Sequence, residues 1–157
     1  MSTNFINSWG NGVTRTSSGA DGGAPWNATT VTKTFSSGAG TGNVGTVALF
    51  TVTGCIRGKL IARCTTNMAG ATATIEVGVT GSTAGLIAQT TATNLIAPEL
   101  WNDTSPDKAI ELMTTAPEYI INGNIFVTVG TANLTGGVIE FTLLWSPVST
   151  NGAVVSA

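Results

Sequence analysis

A chain of 157 residues suits a single domain, long enough to bury roughly 70% of its unfolded surface. Only 9% of the residues are charged and the formal net charge is −2, which excludes a strong overall field for nucleic acid or an anionic membrane. The absence of His excludes a Ser-His-Asp triad and the commonest general base, and with two Cys it leaves no zinc site.

Thr is the commonest residue and Gly follows with 20, so strand formers and turn formers dominate. The composition predicts an all-β chain. A surface this poor in charge gives little protection against self-association. No targeting signal is expected, because MSTNFINSWGNG lacks a basic stretch followed by an apolar one. No apolar run approaches the roughly 20 residues of a membrane helix.

Residues 1 to about 29 show no sustained period, yet they carry Phe5, Trp9 and Trp26. We read 1–43 as an irregular arm ending in a glycine-rich loop, whose aromatics dock on a neighbour. Within it, VTKTF (31–35) is a short strand and SSGAGTGNVG a loop. GTGNVG (40–45) fits G-x-G-x-x-G, but the strand-like TVALFTVT follows it where a phosphate-binding loop needs a helix.

The domain proper is expected over 44–149, with 150–157 a tail. Strands are predicted at TVALFTVT (46–53), IRGKLIARCT (56–65), TATIEVGVT (72–80) and LIAQTT (86–91), then EYIIN (118–122), NIFVTVGT (124–131) and GVIEFTLLWS (137–146). PDKAIELMTT (106–115) is read as a further strand rather than a helical turn. Alternation assigns faces. Ala73, Ile75, Val77 and Val79 share one side, as do Ile125, Val127 and Val129, and as do Ile139, Phe141, Leu143 and Trp145. Period two across short strands predicts an antiparallel β-sandwich, jelly-roll-like, as one domain.

The segment IRGKLIARCT holds Arg57, Lys59 and Arg63, half of the six basic residues. On a strand all three point to one side with Ile61, while Ile56, Leu60, Ala62 and Cys64 point to the core. The row either pairs with Glu76 and Glu140 across the sheet or meets an acidic partner. Cys55 and Cys64 at the ends of one strand lie about 30 Å apart, far beyond the roughly 7 Å of a disulfide, so both thiols are expected free. The carboxylates converge on no catalytic pair, and Asp103 with Asp107 matches no calcium loop. Catalytic, cofactor-binding and metal residues are expected to be none. IRGKLIARC carries no aromatic to stack a base, which again argues against nucleic acid.

Three stretches carry a resemblance: TTNMAGATATIEVG (65–78), TTATNLIAPELWNDTSP (90–106) and ANLTGGVIEFTLLWSPVS (132–149). From about Val44 to Ser149 the chain resembles capsid decoration, or cement, proteins of tailed bacteriophages. The resemblance implies a structural virion protein, made in the host cytoplasm and placed on the capsid exterior. There it braces subunits of the major capsid protein, often as a homotrimer. It carries over no functional residue. The interface residues expected from the sequence itself are Phe5, Trp9, Trp26, Arg57, Lys59 and Arg63. A trimeric receptor-binding module, or a minor tail or connector subunit, is the alternative.

Overall fold

The computed structural model describes residues 26–157, apart from Lys108 and Met113. Strands run in the order β1 (Asn27–Thr34), β2 (Gly45–Thr53), β3 (Ile56–Ala69), β4 (Thr74–Val79), β5 (Ser82–Thr91), β6 (Leu100–Trp101), β7 (Tyr119–Ile121), β8 (Ile125–Gly130), β9 (Gly136–Pro147) and β10 (Ala153–Ser156). They form two antiparallel sheets packed face to face as a β-sandwich. The first sheet has the order β1-β9-β3, with β6 and β7 both on the far edge of β3. The second has the order β10-β2-β8-β4-β5.

The β3–β9 ladder is the spine of the first sheet. It runs from Ile56↔Pro147 to Ala69↔Gly136, with register shifts beyond Cys64. The faces assigned from alternation hold: Ile56, Leu60, Ala62 and Cys64 are buried with Ile139, Phe141 and Leu143. Opposite them, Ile75, Val77, Ile125, Val127 and Val129 supply the second sheet's half of the same core. Trp145 departs from full burial. It is half-buried, and its indole Nε1–H donates to Thr29 Oγ1 at 3.0 Å.

The sandwich extends past both expected ends. β1 pairs with β9 over eight residues, from Asn27↔Trp145 to Thr34↔Val138, and β10 pairs with β2. Strands therefore lie outside the span 44–149. Periodicity did not mark residues 27–30 because the half-buried side of this edge strand is Asn27, Thr29, Val31 and Lys33, with one apolar residue in four.

The described residues of PDKAIELMTT form no strand, contrary to expectation. Its backbone makes one isolated bridge, Leu100↔Asp107. The alternating Ile110 and Leu112 lie in solvent, 82% and 72% exposed, with no sheet among the described residues to bury them. The glycine motif at 40–45 is a turn into β2, tied down by Leu134 N–H to the Gly42 carbonyl at 2.7 Å and Val44 N–H to Asn133 Oδ1 at 2.9 Å. Both cysteines are free, Cys64 buried and Cys55 partly so. Burial pushes the Cys64 thiol above its ordinary pKa.

Candidate interaction surface

Register converts the outward residues of the first sheet into cross-strand rows. Lys59 lies beside Leu144, which faces Ala28; Ile61 beside Thr142, which faces Thr30; and Arg63 beside Glu140, which faces Thr32. The Thr30 and Thr142 hydroxyls are 3.0 Å apart, and Arg63 Nη2 donates to Glu140 Oε1 at 3.0 Å. These are neighbours in the cross-strand sense that stabilises a sheet face.

One further row closes this face. Arg57 lies between Ser146 on β9 and Ile120 on β7. Trp26, one residue before the Asn27↔Trp145 pair, continues that row past Ser146. The Arg57 guanidinium carbon sits 4.7 Å from the centroid of the Trp26 ring, within cation–π range. Ser146, spanned by this contact, is only 3% exposed although it is on the outer side. Arg57 Nε lies 3.8 Å from Glu118 Oε2, an ion pair too long for a hydrogen bond.

The structure thus brings together Trp26, Arg57, Lys59 and Arg63. Phe5 and Trp9 lie outside the described residues. Arg57 and Arg63 have carboxylate partners within the chain, Glu118 and Glu140, of which only Glu140 was expected. Glu76 is not a partner: it is on β4 in the second sheet and accepts from Gln89 Nε2 at 2.9 Å. Glu118 takes the place expected for it, because β7 joins the edge of β3 beside Arg57. The sequence reading also missed Leu144 and Ile120. EYIIN carried a signal for the second, since of two adjacent isoleucines in a strand one must face out; Ile121 is buried and Ile120 is 66% exposed.

Beside this face, a cavity of about 300 Å³ opens between β7 and the β4–β5 hairpin, lined by Val79, Leu86, Tyr119, Ile120, Ile121 and Asn122, with Ser82 and Gly85. It holds no carboxylate or amine to drive acid–base chemistry. Among the described residues no group of three or more His, Cys, Asp or Glu could hold a metal ion. Asp103 Oδ1 instead accepts from the Ser105 amide at 2.7 Å, closing a local turn.

Comparison of the chain with models of known families, with curated proteins and with solved structures finds no match. The outer face of the first sheet is the candidate surface. It mixes two kinds of chemistry, long cations and aliphatic or aromatic groups, on one pleated plane. Such a plane buries apolar area against a partner while its charges set orientation.

Proposed function

We propose that this chain is a non-enzymatic structural protein of a tailed-bacteriophage virion. It decorates the capsid exterior and stabilises it by binding between subunits of the major capsid protein, as a homo-oligomer, most simply a trimer. No cofactor, nucleic acid or membrane enters this role. The observation that carries the reading is the outer face of the first sheet, a continuous contact plane of Trp26, Arg57, Lys59, Ile61, Arg63, Leu144 and Ile120. The resemblance over 44–149 supplies the kind of particle.

Strand order adds support. With β6 and β7 both beside β3, the order β1-β9-β3 packed on β10-β2-β8-β4-β5 is one we read as jelly-roll-like, an architecture used by viral capsid and lectin domains. Fold by itself does not decide function.

The test is binding of the purified protein to undecorated heads, followed by electron microscopy. Density between capsid subunits is the expected result. Binding to the tail would move the reading to the alternative, a receptor-binding or tail module, and absence of binding to any part of the particle would overturn it. Phe5 and Trp9 belong to the same test: Trp9→Ala and Trp26→Ala are expected to weaken head binding without unfolding the sandwich.

A further inference from the structure

β1 ends the first sheet on the side away from β9. Phe35 N–H donates to the Gly137 carbonyl at 2.9 Å, one step beyond the Thr34↔Val138 pair of the β1–β9 ladder. In an antiparallel ladder, hydrogen-bonded pairs alternate with non-bonded ones. Counting back from Phe35, the odd residues of β1 turn their N–H and C=O toward β9. Ala28, Thr30, Thr32 and Thr34 turn theirs to the open side. Two contacts agree with that parity. The Thr34 carbonyl accepts from the Thr41 hydroxyl at 2.8 Å, away from β9. The hydroxyls of Thr30 and Thr142 approach to 3.0 Å, as side chains do in the closer, non-bonded pairs. At Ala28, Thr30 and Thr32 the outward N–H and C=O have no backbone partner among the described residues.

The other strands that end a sheet are blunted. β6, β7 and β10 have two, three and four residues, and β5 shifts register twice against β4. Shortness and bulges are what keep edges from pairing. β1 instead runs eight residues without a shift and holds no proline. Its one charge, Lys33, sits near its end, where Nζ donates to the Ala157 carbonyl at 2.8 Å. Its outer side carries Ala28, Thr30, Thr32 and Thr34, all small and exposed.

We infer that β1 pairs antiparallel with β1 of a second copy, Thr30 opposite Thr30. The edge is complementary to itself in this register. Ala28 meets Thr32 of the second copy, Thr30 meets Thr30 and Thr32 meets Ala28, with two backbone hydrogen bonds at each pair. Thr34 stays out of the ladder, its carbonyl already engaged by Thr41. Lys33 then lies opposite Asn27 of the second copy. The two Lys33 side chains are about 20 Å apart along the strands, beyond the roughly 8 Å over which exposed charges act at physiological salt. A parallel pairing would bring them together. Across the junction only small side chains meet, the kind of pair that Thr30 and Thr142 already form within the chain. The first sheet then runs β3-β9-β1-β1-β9-β3 through both copies, and their outer faces join in one plane. The contact is isologous and makes a dimer. It rests on the homo-oligomer part of the proposed function and gives it two copies in place of three.

Sedimentation velocity of the full chain at micromolar concentration tests the pairing. Wild type is expected to be a dimer. Thr30→Pro removes an N–H that β9 does not use, a change an edge strand tolerates, and is expected to weaken the dimer at least about tenfold. Thr30→Lys sets like charges opposite each other across the two-fold and is expected to be monomeric with a native melting transition. Thr30→Glu is expected to behave in the same way, and a one-to-one mixture of the two to recover the dimer. A purely structural role for Thr30 cannot produce that recovery. If Thr30→Pro fails to fold, the two charge variants decide. A wild-type assembly of three copies, an assembly that Thr30→Lys leaves intact, or folded Lys and Glu variants that stay monomeric when mixed would overturn the inference and leave self-association standing. A wild-type protein that is monomeric throughout would overturn both, whereas head binding reports on the decoration role separately.

Discussion

On its inner side the first sheet presents Leu60, Phe141 and Leu143, and the second presents Ile75, Ile125 and Val127; none is more than 4% exposed. On their outer sides the sheets diverge. The second sheet sets Thr46, Thr128 and Glu76 in one row and Ala48, Phe126 and Gly78 in the next, mostly short or uncharged side chains. The first sets out three cations, a tryptophan and three aliphatic residues. Exclusion of water constrains both inner faces in the same way. Nothing in folding asks the outer faces to differ, and the proposed contact role of the first sheet rests on that difference.

The largest test addresses the inner half of the comparison. Leu143→Ala in the first sheet and Ile125→Ala in the second both remove fully buried aliphatic groups. Each is expected to cost about 2–5 kcal/mol by denaturant unfolding. A cost below about 1 kcal/mol for one of them would mean that the sheets do not contribute alike to the core.

A smaller effect is expected where the outer rows end. Gly137 has a φ of +122° at the register shift between β3 and β9, and a Cβ there would strike the Met68 side chain and backbone. Gly137→Ala combines backbone strain with overpacking and is expected to destabilise by about 1–3 kcal/mol. A neutral result would show that β9 can shift along β3, and the rows would then not be a fixed surface.

The outer faces themselves are compared by Arg57→Ala and Gln89→Ala. The first removes the stack on Trp26 and the ion pair with Glu118; both partners are well exposed, so the loss is expected to be about 1 kcal/mol or less. The second removes an exposed hydrogen bond to Glu76 and is expected to leave stability within about 0.5 kcal/mol. Tryptophan emission distinguishes them: Arg57→Ala is expected to alter it through Trp26, and Gln89→Ala is not. Unchanged emission in Arg57→Ala would remove the closing row from the surface.

Much of the inner architecture was legible in the sequence. Ile56, Leu60, Ala62 and Cys64 alternate with Arg57, Lys59, Ile61 and Arg63 because a strand with one wet side forces that period. What stayed hidden depends on which strands meet. Glu76 and Glu118 are equally plausible partners for a basic strand until sheet order puts Glu76 on the far sheet. Trp26 reads as part of an aperiodic arm until register carries it into the row of Arg57. The aperiodic stretch read as ending near residue 29 takes in the start of β1, Asn27–Thr34. The alternating Ile110, Glu111 and Leu112 misled in the opposite direction, since period two signals a strand only where another layer waits to bury one side.

The smallest expected effect concerns the acidic loop, where the charge contrast with the outer face can be read from pH. Asp107 has a raised pKa, first through the Glu111 carboxylate, so the folded protein holds its proton more tightly than the unfolded chain does. Such a group contributes stability that is fully present below its ordinary pKa and is lost as pH rises through the raised value. Asp107→Asn removes that loss. The variant is expected to melt with wild type near pH 3 and slightly above it at neutral pH, with the gap shrinking in high salt because the site is fully exposed. The backbone bridge to Leu100 is unaffected by the change, so it cannot produce the trend. Glu140→Gln in the first sheet is the opposing control. There the carboxylate accepts from Arg63 at 3.0 Å, and its removal is expected to lower the melting temperature slightly at neutral pH. If Asp107→Asn also melted lower at neutral pH, the Asp107 carboxylate would be holding a favourable partner within the chain. The crowding of Asp107 by Glu111 would then not be what governs the loop's response to pH.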